Sequence, residues 1–332
     1  MGEYVTFGAR IDPEANADIT AQTQWPEPSD ESRYKPLTSA SLSETREDVL
    51  ARCLAANSRA PFSHITALQL QRIEVPAQHT LDTDTLHVTF SSIGKRKLRK
   101  NVQSHIRQGL CESDTVVVRW NGGLIRYVKP LIAWSQMAGF MPIEQMVELT
   151  ESIFRHTDLT RPDFENALKE PAFAHRRKAC SIALSLAQEH TDSPKETQSH
   201  LALTRYGAPF PIVNYQVPGA HYDNGVGITA DLAWPQLRVA LDYQGDHHRT
   251  DKEQWRRDNS KSGILRQAGW EFDVITQLDL ADSWHQTALA VKVAGMFAKQ
   301  GKPFVLTHRL SMNELADRRR KAWRNRGNDA QR

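Results

Sequence analysis

The chain has 332 residues, 39% hydrophobic and 24% charged, with 42 Lys and Arg against 39 Asp and Glu, for a formal net charge of +3. A chain of this length predicts two domains rather than one. The composition excludes collagen-like, wholly disordered and membrane-embedded classes, and the charge alone is too small to establish nucleic-acid binding.

Three cysteines, Cys53, Cys111 and Cys180, lie far apart in the chain. They form neither a disulfide framework nor a C-x-x-C metal clip and suit a reducing compartment. No apolar run approaches the roughly 18 residues needed to span a bilayer. The polar, acidic N-terminus is unlike a signal peptide, so a cytoplasmic location is expected.

Residues 1 to about 44 carry Pro, Ser, Asp, Glu and Gln without sustained periodicity and read as a disordered tail. A helix starts at Ser43, with Val49, Leu50, Cys53 and Leu54 at helical spacing. A second runs from Pro61 to Leu70. Ser63 and His64 there could serve as nucleophile and base, but adjacent residues at a helix start point apart, so the reading is that Ser63 caps the helix. Thr85–Phe90 alternates as a strand. The run Lys95-Arg96-Lys97-Leu98-Arg99-Lys100 reads either as a solvated loop or as a phosphate-contacting patch. Strands at Thr115–Trp120 and Leu124–Val128 flank a Gly122-Gly123 turn. Helices follow at Leu131–Ala138, Pro142–His156, about Pro162–Leu168 and about Ala172–His190. These segments make a mixed α/β domain over residues 45–190.

The pattern changes at Ser193. Ser193-Pro194-Lys195-Glu196 has the form of a capping box, with Pro at the first helical position. The helix stops at Gly207. Strands follow at Ile212–Val217, Thr229–Trp234 and Arg238–Tyr243, then a helix at about Lys252–Ala268, a strand at Trp270–Ile275 and a helix at about Trp284–Lys299. Residues 191–300 thus read as an αβββαβ domain followed by a helix. Residues 301–332, with Arg318-Arg319-Arg320-Lys321, read as a basic tail.

Asp231 and Asp242 stand out. They are 11 residues apart, flanking a turn at Trp234-Pro235-Gln236. A hairpin of this layout brings both acids to one end of a sheet, which makes an oxygen-rich divalent-metal site. Asp242 and Gln244 share a face of an extended strand. His248 is ionisable near neutral pH and suits acid or base chemistry.

Several pieces together carry a resemblance over residues 193 to about 281. They are Ser193-Pro-x-Glu196, Asp231-Leu-Ala-Trp234, Leu241-Asp-Tyr-Gln-Gly-Asp-His-His-Arg249, Arg257-Asp258, Leu265 and Ala268-Gly-Trp270. In order and spacing this stretch resembles the DUF559 family, a branch of the PD-(D/E)XK nuclease superfamily close to the very-short-patch repair endonucleases. The upstream region, from Phe62-Ser-His-Ile-Thr-Ala67 through Leu86-His-Val-Thr89, His105 and Pro130, resembles the abortive-infection antitoxin-like proteins of actinobacteria.

The resemblance implies a restriction-endonuclease-like domain with a Mg²⁺ (or Mn²⁺) phosphodiesterase site and DNA as partner. By position, Asp231 is the first metal-binding acid and Asp242 the second, where relatives usually have Glu. Gln244 falls where the superfamily often has Lys. Glu196 matches the helix acid facing the site, and His248 the His after the Gly. Asp242 is one methylene shorter than Glu, which sets its carboxylate about 1 Å back, and Gln244 brings an amide rather than a charge. Lys95, Arg96, Lys97, Arg249 and Arg257 are the candidate nucleic-acid contacts. The alternative expectation is a non-catalytic DNA-binding regulator, antitoxin-like, on a degenerate nuclease fold.

Overall fold

The computed structural model describes residues 40–96, 100–245 and 252–329, with only the backbone for residues 40–45, 95, 252–259 and 322–329. The architecture is mixed α/β with several small sheets. Among the described residues no helix is long and apolar enough to cross a membrane.

The first unit starts with α1 (Ala40–Ala56), whose Val49, Leu50 and Cys53 are buried at the expected helical spacing. Pro61-Phe62-Ser63 is extended rather than helical. The Phe62 N–H donates to Arg126 O at 2.8 Å, and the Val128 N–H donates to Phe62 O at 2.9 Å. Ser63 N–H donates to His87 O at 2.8 Å. The segment therefore stitches β1 (Leu86–Phe90) to β4 (Gly123–Val128), and α2 (His64–Leu70) starts only after it. Strand β3 (Thr115–Trp120) pairs antiparallel with β4, and β2 (Val102–Ile106) pairs parallel with β1. The sequence pattern missed β2, because Val-Gln-Ser-His-Ile has no apolar alternation and only Ser104 is buried.

Helices α3 (Pro130–Met137), α4 (Ile143–His156), α5 (Arg161–Lys169) and α6 (Arg177–Leu186) complete this unit. The single helix expected over 172–190 is interrupted. Pro171–Phe173 is one 3-10 turn, and Arg176 enters the left-handed region at φ 64° before α6 begins. At the far end, Arg161 donates to the carbonyls of Leu184 and Ala187 at 2.7 and 2.8 Å, which terminates the helix in place of further turns.

Helix α7 (Pro194–Arg205) joins the two halves. One of its faces packs on α4, where His200 Nε2 lies 2.8 Å from Glu151 Oε1 and both side chains are fully buried. Thr197 Oγ1 and the Gln188 N–H also donate to Glu151. These bonds and the His200 charge hold the Glu151 carboxyl below its usual range against a large opposing effect of burial.

The second unit is a four-stranded sheet in the order β5 (Ile212–His221), β6 (Gly227–Trp234), β7 (Val239–Gln244), β8 (Glu271–Thr276). The first three strands are antiparallel neighbours, and β7 pairs parallel with β8 across α8 (Lys252–Gln267). One apolar layer joins Leu203 of α7 and Leu232, Trp234, Val239, Leu241 and Ile275 of the sheet to α9 (Ser283–Lys299). The other joins Ala230, Ala240, Phe272 and Trp270 to Leu265 of α8. Trp234 and Trp270 are thus packing residues.

The expected basic tail is helical from Met312 and docked. In α10 (Met312–Asp329), Met312, Leu315 and Ala316 lie in the core of the first unit. The first two arginines of the basic run close helix C-termini. Arg318 donates to Thr204 O and Gly207 O behind α7, at 3.4 and 2.6 Å. Arg319 donates to Leu186 O at the end of α6, at 2.7 Å, with its guanidinium over the Phe210 ring.

Candidate active site

Asp231 and Asp242 face each other across β6 and β7, one step beyond the last ladder pair, Leu232 with Leu241. The carboxylates replace the ladder there. The Asp231 N–H donates to Asp242 Oδ1 at 3.1 Å, and the Tyr243 N–H donates to Asp231 Oδ2 at 2.7 Å. Each acid is fixed by the other's strand. Asp242 stays on β7 because residues 242–244 continue their pairing with Val274, Ile275 and Thr276 of β8.

Lys261 completes the pair. It projects from α8, and its ammonium donates to Asp242 Oδ2. Burial pulls the Lys261 ammonium down, but Asp242 and Asp231 outweigh it and the net shift is upward. Asp231 is held well above the usual carboxylate range by burial first, then by the charges of Asp242 and Glu196, against opposing pulls from Lys261 and the Tyr243 N–H.

Glu196 is the third acid. Ser193 caps α7 as expected: its Oγ accepts from the Glu196 N–H at 3.2 Å. The return arm differs, since Glu196 Oε2 accepts from the Asp192 N–H at 2.8 Å. Asn214 donates through Nδ2 to Glu196 Oε2 at 2.8 Å and to His190 O at 2.7 Å. Asn214 does this from φ 48°, a left-handed conformation that Asn tolerates better than most residues. Burial, with the neighbouring Asp192 charge, pushes the Glu196 carboxyl up to about 7.

The structure thus brings Asp231 and Asp242 together, while Glu196 is held by Ser193, Asp192 and Asn214 and acts on Asp231 through its charge. Gln244 ends β7 half-buried, opposite Thr276. His248, Arg249 and Lys97 lie outside the described residues, as do the side chains of Lys95 and Arg257. Arg96 is exposed, and its Nε donates to Ser104 Oγ at 2.7 Å. Lys261 was missed by sequence reasoning. Its signal was its place one turn before Leu265, the buried side chain among those described in α8.

Ser63 is a correction. It occupies the N-cap position of α2, yet its side chain makes no cap hydrogen bond. Its Oγ instead lies 2.9 Å from Nδ1 of His64, which sits at φ 52°. His64 stacks on His105 with centroids 3.8 Å apart, and His105 Nε2 lies 3.0 Å from His87 Nδ1. Ser63 and His64 are 0% and 3% exposed, so no substrate reaches this hydroxyl; the contact is internal packing.

No family model and no solved structure matches the chain. It is similar to two uncharacterized proteins of Mycobacterium tuberculosis, MT2308 and Rv2248, each 25% identical over 120 residues. The match covers 36% of this chain and 43% of each relative, so the chain spans less than half the length of the curated relatives it matches.

Proposed function

We propose that this chain is a divalent-metal-dependent DNA endonuclease with a restriction-endonuclease-like C-terminal domain. The observation that carries the reading is the Asp231–Asp242 pair locked side by side across β6 and β7, with Lys261 on its outer oxygen. The order α7-β5-β6-β7-α8-β8 supports the fold reading.

The donor set fits Mg²⁺ or Mn²⁺. Both are hard cations that take carboxylate oxygens and keep several waters. Asp231 and Asp242 would hold the ion; Asp231 Oδ1 has no protein donor among the described residues. No cluster of three His, Cys, Asp or Glu suited to a metal occurs among the described residues, where Asp231 and Asp242 are the two carboxylates the reading uses. Such an ion, if held there, would supply charge neutralisation for the phosphate and a lowered pKa for a nucleophilic water.

The chain's own residues do the rest. Lys261 places a fixed ammonium beside Asp242, where it can meet a non-bridging phosphate oxygen or the leaving oxygen. Glu196, titrating near neutrality, can orient a water and accept its proton. Cleavage of supercoiled plasmid in Mn²⁺ tests the reading. The wild type nicks, and Asp231→Ala and Asp242→Ala do not; persistent nicking by both variants overturns the assignment.

The Lys261–Asp242 ion pair also favours a second reading. An ammonium already neutralising Asp242 is what a non-catalytic DNA-binding regulator would retain in a degenerate site. That protein would bind DNA without cutting it under any divalent ion.

A further inference from the structure

Helix α9 is apolar on two opposite sides, and the described residues cover only one of them. Leu289, Val293, Met296 and Phe297 are buried in the layer against the sheet. Trp284, Ala288, Val291, Gly295 and Ala298 recur at alternating steps of four and three, which lays them in one stripe on the far side. All five are exposed, Trp284 at 72% and Val291 at 52%. Lys292 and Lys299, beside the stripe, are drawn off to Asp273 and Glu271 of β8, each at 3.1 Å. The stripe is left bare. A helix apolar on both sides is normally buried on both, and an exposed Trp is the side chain that anchors protein contacts.

The pattern itself indicates the occupant. It is self-complementary about Val291: Trp284 and Ala298 stand equally far from it on either side, and Ala288 and Gly295 lie within that span. An antiparallel pair of α9 helices with its two-fold axis at Val291 sets each Trp284 against Ala298 of the other copy, large against small, and Ala288 against Gly295. The same pairing brings the start of one helix beside the end of the other. Asp282, whose side chain is 57% exposed, then lies beside Lys302 of the second copy, an exposed cation with no carboxylate partner among the described residues.

Gly295 points the same way independently. Glycine is less stable than alanine inside a helix, yet a Cβ at Gly295 would meet nothing within 4 Å. Packing within the described chain gives no reason for it; the close approach of another helix backbone does.

We propose that the outer face of α9 is a homodimer interface, with two copies of this chain packed antiparallel about Val291. The contact is one helix pair about 25 Å long, small for a stable dimer, so association is reversible and concentration-dependent. It uses neither Asp231 nor Asp242 and stands whether or not the chain cleaves DNA.

The test is sedimentation of the full chain from about 1 to about 100 µM, a range that brackets micromolar affinity, together with disulfide trapping. The mass should rise from 37.6 kDa to twice that value. Trapping uses Cys111→Ser/Val291→Cys, since Cys53 and Cys180 are buried. Val291→Cys lies on the axis and should give an intermolecular disulfide that the exposed control Cys111→Ser/Val226→Cys does not. Ala298→Glu puts a charge where Trp284 of the other copy docks and should weaken the dimer at least about tenfold, with the thermal midpoint of the monomer retained. A wild type monomeric at about 100 µM, a dimer left intact by folded Ala298→Glu, or no disulfide from Val291→Cys overturns the proposal. A monomer whose Val291→Cys thiol is joined to Lys35 of its own chain by a thiol-to-amine reagent gives the face to residues 1–39 and overturns it as well.

Discussion

Lys261→Ala removes the ammonium paired with Asp242 and acting on Asp231. The side chains of Lys261 and Asp242 are 12% and 18% exposed, which places the pair near the buried regime rather than the surface one. Removing one partner of a buried pair costs about 3–5 kcal/mol, and the residual water contact here argues for the lower figure, about 3 kcal/mol. At about 2–4 °C per kcal/mol, the thermal midpoint in EDTA should fall by roughly 6–12 °C. The sign with pH is fixed by Asp231. Its folded pKa is raised, so it disfavours the fold as pH climbs through that value, and the Lys261→Ala deficit should be larger at the more alkaline of two pH values than at the more acid one. Mn²⁺ at about 100 times its dissociation constant should return about 2.7 kcal/mol by linkage. The assay is urea unfolding in EDTA and in Mn²⁺ at both pH values, with Asp242→Asn/Lys261→Met as the double variant. A loss below about 1 kcal/mol in EDTA, or a double variant no better than Lys261→Ala, would refute the reasoning.

Three other outcomes follow from the geometry. Gly207 sits at φ +107° and a Cβ there would lie 2.4 Å from Val305 O, so Gly207→Ala should cost at least about 2 kcal/mol by urea midpoint. Arg318→Ala removes the donor to Thr204 O and Gly207 O and should cost about 2 kcal/mol, with limited proteolysis newly cutting near residue 311 as α10 loosens. In the first unit, burial and neighbouring positive charge lower His64 and bring His105 to about 4, and burial lowers His87. The unfolded chain binds these protons first, so stability should fall as pH drops from about 6.5 towards 4; histidine NMR titrations and amide exchange in β1 and β2 would show it.

The carboxylate hairpin was readable because two acids flanked a Trp-Pro-Gln turn, and strand periodicity then places them opposite each other. Glu196 was readable as a cap from Ser193-Pro194, although Asn214 as its partner was not, since that contact depends on one left-handed residue in β5. Lys261 was hidden among the five Lys and Arg residues of α8, and only the packing of Leu265 selects the face that points inward. Strand β2 lacked an apolar alternation because its buried position is Ser104 and its inner contacts are made by the polar His105 and Ser104. The docking of α10 was hidden for another reason. Its arginines cap carbonyls more than a hundred residues away, and to a local reading that is indistinguishable from a solvated basic run.

The central claim is that Asp231 and Asp242 hold a divalent cation together. Calorimetric titration of Mn²⁺ into wild type, Asp231→Asn and Asp242→Asn tests it most directly. One saturable site in the wild type, lost in both variants while their fold is retained, is the result the account predicts. Heat of binding unchanged in either variant, or no binding by the wild type, would contradict it.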